Sequence, residues 1–281
     1  MRLLPQVIRC PDLVLYDHVD IAQCQMVLPA ALRSDYMVWV HGIEVWKSLP
    51  PRKLAALQGA KRLIFNSEYT RARFEEFHAF SYDSAVVPLM AEFTTQQEEC
   101  SRNRMPWILT VGRLEPDRPK GHAEILRVLP QVVSVVPDVV WHVVGAGKHL
   151  DSFRREVDES GCADFVKIHG FVETDELNDL YRTCRVFAMP SHGEGFGIVY
   201  VEAMAHGCIP VGSTKDAAPE VIRDAGACVS LDEPDELSHE LISLLTMDDS
   251  EYSERSHRAI QRAQTFSSEA FGKRFLEAIE V

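Results

Sequence analysis

Short apolar runs alternate with segments of helical period along the whole chain, which predicts a parallel sheet with helices on its faces. In the first third, Leu13–Tyr16, Met37–Val40, Leu63–Phe65 and Ala85–Val87 read as strands. Leu54–Leu57 and Arg71–Phe77 read as helical pieces between them. Residues 91–106 are polar, lack periodicity and close on Pro106, which predicts an interdomain linker. Beyond it, Ile108–Val111, Val139–Val144, Val166–Ile168, Val186–Met189, Ile209–Val211 and Ala227–Ser230 predict strands. Helices are expected from about Gly121 to Val135, over Leu150–Glu159, Asp175–Arg182, Ile198–His206 and Pro219–Arg223, and from about 235 to 247 and 251 to 279. Gly207 supplies the C-terminal stop of the fourth. The second stretch holds enough strands for a complete nucleotide-binding-type domain, and the first looks thin. The expected division is therefore residues 1–105, linker included, and 106–281.

The length of 281 residues agrees with two domains. Hydrophobic residues at 46% and charged residues at 25% describe a protein with a packed core, and exclude a disordered or collagen-like chain. A net charge of −13 argues against broad nucleic-acid binding, which needs a cationic face, but not against a small cationic pocket. The seven cysteines are scattered, odd in number and never C-x-x-C, so they read as reduced, mostly buried thiols. Pro5 and Asp12 come before any apolar stretch long enough for export. The most apolar region, Val128 to Val144, is interrupted by Asp138 and two prolines, short of the ~20 residues of a membrane span. A cytoplasmic protein is expected, with membrane contact at most peripheral.

The most informative stretch runs from Ser191 to Gly207, where a strand ends, a glycine-rich loop follows and a helix starts near Ile198. In a doubly wound sheet, ligands bind at the carboxyl ends of the strands. Gly195 and Gly197, flanking Phe196, permit close approach to the backbone, and the helix start favours an anion. Glu194 in the loop and Glu202 one turn into the helix would repel that anion, but they suit neutral hydroxyls as acceptors. A ligand with both phosphates and hydroxyls, a sugar nucleotide, satisfies both demands. Gly112 permits a tight turn after another strand, and Arg113 and Lys120 project from the loop that follows. Val143-Val144-Gly145-Ala146-Gly147 lacks the third glycine of a dinucleotide fingerprint, so a nicotinamide-dependent oxidoreductase is a poor reading.

Glu194 and Glu202 form an E-x7-E pattern, and GEGFGIVYVEAMAHGCIPVG resembles the donor-site signature of family 4 (group 1) retaining glycosyltransferases. The resemblance covers roughly Pro11 to Phe275 and is strongest from Ile108 to Gly212. It implies an α/β fold of the GT-B type, two Rossmann-like lobes facing a cleft, with an incomplete N-terminal acceptor lobe. It implies transfer of a hexose from a nucleoside diphosphate sugar to a hydroxyl acceptor, with retention at the anomeric carbon. On the residues that match, Arg113 and Lys120 hold the donor diphosphate in place of a metal ion, and no cofactor is expected. Glu202 accepts from the ribose, Glu194 contacts the transferred sugar, and His41, at the end of the strand Val38-Trp39-Val40, faces that sugar. Gly112, Gly145, Gly195, Phe196 and Gly197 complete the donor set, and Val172 and Glu173 flank the nucleobase. Asn66-Ser67-Glu68-Tyr69-Thr70-Arg71 matches another family segment, with Ser67 a helix N-cap. Asp17-His18 reads equally as an acceptor contact or as loop polarity.

Two departures stand out. Family members open with a strand and a glycine-rich loop that are missing here, so a fragment, or a partner chain completing the lobe, is expected. Lys215-Asp216-Ala217-Ala218-Pro219-Glu220 also replaces the usual Gly-Gly before Pro/Ala-Glu, which bears on backbone contact with the donor there. The rival readings are a sugar-nucleotide-binding protein without turnover and a subunit active only with a partner. The acceptor is left as a carbohydrate or a lipid-linked one.

Overall fold

The computed structural model of the chain describes residues 13–29, 32–92, 104–116 and 120–280. The expected linker falls mainly, and residues 117–119 of the Arg113–Lys120 loop wholly, outside the described residues. So do the first twelve residues. By contacts the chain separates into two units, one reaching to Leu89 and resuming at Glu269, the other Met90–Ser268. This grouping differs from the expected division at 105/106 in placing the last helix with the N-terminal unit.

The N-terminal unit is a four-stranded parallel sheet in sequential order, β1 (Val14–Tyr16), β2 (Tyr36–Val40), β3 (Arg62–Phe65) and β4 (Ser84–Val86). Helices α1 (Val19–Ala22), α2 (Pro51–Gln58) and α3 (Glu68–Phe77) connect them. Ser67 caps α3, its hydroxyl accepting the Thr70 N–H at 2.9 Å, as its position ahead of Glu68 predicts. Alternation along β2 sends Val38 and Val40 into one core with Tyr16, Leu63, Phe65 and Phe74. Met37 and Trp39 go into a second core with Ile64, Val87 and Ala278.

The second unit carries a six-stranded parallel sheet ordered β10-β9-β8-β5-β6-β7. Its strands are β5 (Met105–Val111), β6 (Val140–Val144), β7 (Val166–Gly170), β8 (Cys184–Ala188), β9 (Ile209–Ser213) and β10 (Ala227–Val229). The helices are α4 (His122–Val135), α5 (Leu150–Glu159), α6 (Thr174–Thr183), α7 (Ile198–Ala205), α8 (Ala218–Ile222), α9 (Pro234–Thr246) and α10 (Asp249–Gln264). The last helix, α11 (Ser268–Ile279), completes the N-terminal unit. Strand order runs outward from β5 in both directions, so the switch point lies between β5 and β8. Trp141 and Phe153 pack edge to face at 5.8 Å in the main core, and the Trp141 indole donates to the buried Thr110 hydroxyl at 2.9 Å. That bond removes the cost of burying two polar groups.

Two expectations are revised. β5 begins at Met105, ahead of the expected Ile108, and its pairing with β8 shifts register between Met105 and Ile108. Pro106, which has no N–H to give the ladder, sits in that irregularity. The helical run expected over 251–279 is broken in two at 265–267. There Phe266 turns inward against Phe196.

Candidate active site

Because every strand of the second sheet is parallel, the segments after β5, β6, β8 and β9 all emerge at one edge. Those after β5 and β8 flank the switch point, and they carry Gly112–Lys120 and Ser191–Gly197. The structure joins them directly: the Lys120 ammonium pairs with the Glu194 carboxylate, both about one-fifth exposed. Residues 74 positions apart in sequence, singled out for one ligand, thus share one contact. Arg113 is exposed on the same loop.

The glycines explain how the loops come together. The Gly112 N–H donates to the Val144 carbonyl at 3.0 Å, and Gly145 lies so close that a Cβ there would sit 1.8 Å from the Gly112 carbonyl oxygen. Gly197, at φ 81°, turns the chain into α7, with the Tyr200 ring 2.5 Å from where a Cβ would be. Gly195 and Gly197 are buried backbone. Phe196, counted in the donor set, has a ring only 2% exposed and packed on Phe266 at 5.5 Å. Its side chain belongs to the core, and only its backbone is available to a ligand.

Glu202 projects from the second turn of α7 and does not touch Lys120. Its carboxylate accepts the Tyr181 hydroxyl at 3.0 Å, and burial lifts its pKa above the usual carboxylate range, the Tyr181 bond pulling the other way. It opens on a cavity of about 580 Å³ lined also by Thr174, Asn178, Tyr181, Arg182 and His206. That cavity starts at the first turn of α6, which follows directly on Val172 and Glu173.

Three partners of these residues escaped the sequence reading. Tyr181, fully buried, fixes Glu202 from α6. His192 meets Glu124 of α4 at 2.7 Å. Asp216 accepts the Ala218 N–H at 2.8 Å and the Ser191 hydroxyl from beneath the Glu194 loop. Asp216 belongs to the segment that departs from the family pattern, and that departure was the signal for it.

His41 belongs to the N-terminal unit. Its Nε2 lies 2.8 Å from the Asp17 carbonyl oxygen and 3.2 Å from that carboxylate, and its ring stacks on Trp39. Glu44 accepts both the His41 and Gly42 N–H groups, at 2.6 and 3.0 Å, so the turn after β2 is tightly held. Asp17 therefore faces His41, and His18 caps α1.

Residues 93–266 match the family described as Glycosyl transferases group 1. The chain belongs to that family. A GDP-mannose-dependent alpha-(1-6)-phosphatidylinositol monomannoside mannosyltransferase of Mycolicibacterium smegmatis is 32% identical over 207 residues, 66% of this chain and 53% of that protein. A phosphatidyl-myo-inositol mannosyltransferase of the same species is 36% identical over 160 residues, 54% of this chain and 40% of that protein. The chain spans about half the length of the curated relatives it matches. Among solved structures, HepE of Anabaena, in complex with UDP and glucose, superposes with TM-score 0.81 at 20% identity, covering 98% of this chain and 80% of its own. Sucrose-phosphate synthase of Thermosynechococcus elongatus gives 0.79 at 18%, covering 98% and 77%. Two parallel-sheet α/β units of this kind make the fold of this group 1 glycosyltransferase family member GT-B. Among the described residues, no helix is long and apolar enough to cross a membrane.

Proposed function

We propose that the chain binds a nucleoside diphosphate hexose and transfers the hexose to a hydroxyl acceptor with retention of anomeric configuration. The observation that carries this reading is the Lys120–Glu194 contact at the switch point, where a cation for phosphate and an acceptor for sugar hydroxyls meet. In this reading Arg113 and Lys120 neutralise the charge that grows on the leaving diphosphate. Glu202 accepts hydrogen bonds from the ribose, Glu194 from the transferred sugar, and His41 is assigned to that sugar as well. The bond between the anomeric carbon and the phosphate oxygen breaks as the acceptor oxygen bonds on the same face. The acceptor proton passes to the departing phosphate oxygen, so no separate base is required.

The relatives named as GDP-mannose-dependent support GDP-mannose as the donor, and a phosphatidylinositol-linked mannoside as the acceptor class. The test is calorimetric titration with GDP and UDP, followed by transfer from GDP-mannose to a phosphatidylinositol mannoside. GDP binding with transfer is the expected result. Binding without transfer reduces the chain to a sugar-nucleotide-binding protein, and no binding of either nucleotide overturns the site. Because two cations stand in for a metal, activity is expected to survive EDTA. Loss with EDTA and recovery with Mg²⁺ would refute the metal-free mechanism.

A further inference from the structure

The two segments that flank the switch point, Lys120–Glu124 and Pro190–Glu194, meet at three places. Lys120 pairs with Glu194, Gly121 lies against Pro190, and Glu124 meets His192. Gly121 is left-handed at φ 85°, and a Cβ there would sit 2.6 Å from the Pro190 carbonyl oxygen. The middle contact is therefore backbone on backbone, and only glycine allows it. The polar pairs to either side of it in the sequence run in opposite senses, a cation reaching from Lys120 and an anion from Glu124. We propose that Glu124 and His192 are positioning residues, whose bond keeps Pro190–Glu194 in register with the start of α4 once a diphosphate has drawn Lys120 away from Glu194. The proposal rests on the sugar-nucleotide reading of the site.

Both members of the Lys120–Glu194 pair are assigned to the ligand, so the donor that uses them has to part them. Glu124 and His192 carry no such assignment, and their contact is free to stay closed. His192 Nε2 lies 2.7 Å from Glu124 Oε1. An ionised carboxylate only accepts, so Nε2 bears the hydrogen, in the neutral tautomer and the imidazolium alike. The bond therefore stands in either charge state of the ring. Glu124 is the third residue of α4, behind Gly121, which gives the helix start no side-chain cap. A carboxylate in the first turn is favoured by the helix dipole, and at this position it commonly folds back to cap the helix. Here one oxygen reaches across to His192 instead, and the other, Oε2, is buried without a partner. Leaving a buried acceptor unpaired costs stability that local capping would have kept, which marks the cross-contact as one held for its geometry. On its other side the loop is tied to the segment after β9, by Ser191 to Asp216 and by the Glu194 carbonyl to the Ala217 N–H at 3.1 Å. Those bonds hold the loop in place beside β9, but they do not join it to α4.

A double-mutant cycle on the ligand-free full chain tests this: Lys120→Ala, His192→Ala and the two together, read by amide exchange over residues 121–125 and 191–197. Lys120→Ala stands for the ammonium drawn off by a diphosphate. Each single variant should exchange within about two-fold of the parent, because the other pair still joins the segments. The double variant should exchange about ten-fold faster or more, well beyond the product of the singles. A contact that merely supports the fold gives His192→Ala the same effect with Lys120 present or absent, and that result would overturn the proposal. Should the double variant fail to fold, Lys120→Ala with His192→Gln keeps an N–H donor for Glu124 and should match Lys120→Ala alone. Loosening there would equally refute the idea. GDP titration supplies the second readout. His192→Ala should bind GDP roughly five-fold more weakly, and His192→Gln should restore most of the affinity. Equal weakening in both variants, or none in either, would also count against it. If the parent binds neither GDP nor UDP, the functional reading falls, while the ligand-free cycle still decides whether the two pairs share one task.

Discussion

Lys120 and Glu194 hold one another, and this pairing sets what each can do. On the proposed function, a diphosphate bound by Lys120 must draw the ammonium away from a carboxylate that lies partly shielded from water. Glu194→Gln should therefore leave GDP affinity unchanged or raise it several-fold, while sugar transfer falls about a hundred-fold with the loss of a charged contact to the hexose. Calorimetry beside a transfer assay separates the two effects, and a parallel fall in both would place Glu194 on the nucleotide instead. Arg113→Ala and Glu202→Gln should each weaken GDP binding by roughly 1–3 kcal/mol through lost charged hydrogen bonds. Unchanged affinity in both would remove the site assignment. The pair of glutamates was legible in the sequence because loop glycines and a helix start surround it. Tyr181, Glu124 and Asp216 were not, since each reaches its partner across elements far apart in sequence. No local pattern encodes a contact of that kind.

Elements position these residues only because their connecting turns pack backbone on backbone. Gly145, at φ 141°, meets the Gly112 carbonyl, which cannot retreat without breaking the join between β5 and β6. Gly145→Ala should lose roughly 2–4 kcal/mol in urea unfolding, since a close backbone clash is added to an unfavourable dihedral. Gly161 is the internal control. Its φ of 74° is also left-handed, but a Cβ there meets nothing within 4 Å, so Gly161→Ala should cost only about 1–2 kcal/mol. Comparable losses at both sites would mean that dihedral strain, not the approach of the two loops, keeps glycine at 145. Strand positions were readable from apolar runs because a buried parallel strand has to be apolar on both faces. The end of β5 near Met105 was not, since Pro106 signals a break unless the register shift that accommodates it is known. The helical run over 251–279 hid its interruption for a similar reason. Thr265, Phe266 and Ser267 carry no glycine or proline, and the inward turn of Phe266 follows from Phe196 waiting in another element.

Across the whole molecule, the assignment of α11 to the N-terminal unit shows what periodicity leaves open. Phe271, Phe275 and Ile279 repeat at four-residue spacing, which announces a buried helix face but not the sheet that will receive it. In the structure that face covers Met37, Trp39, Ile64 and Val87, with the Trp39 indole stacked on Phe271 at 5.8 Å and on Phe275 at 5.7 Å. The same indole stacks on His41, so the helix supports the strand end that carries the proposed sugar contact. Phe271 and Phe275 are half-buried, so each ring reduced to alanine should cost less than the about 3–5 kcal/mol of a fully buried one, against a typical domain stability of about 5–15 kcal/mol. Losing both rings together with the buried Ala278 and the rest of the face would still consume much of what a four-stranded unit can hold in reserve. A chain ending at Ser267 should therefore show the N-terminal unit opening early, with rapid proteolysis between residues 32 and 89. Residues 104–264 keep a core that includes Trp141, Phe153 and Tyr252 and uses no part of α11, so their melting should be unmoved. Phe275→Asp, which leaves the chain at full length, should reproduce the result by setting a charge against the Trp39 ring in place of the apolar contact. Calorimetry resolving two transitions, only the first of which shifts, is the expected outcome. A single transition that moves as a whole would mean that the two units unfold together and that α11 serves both.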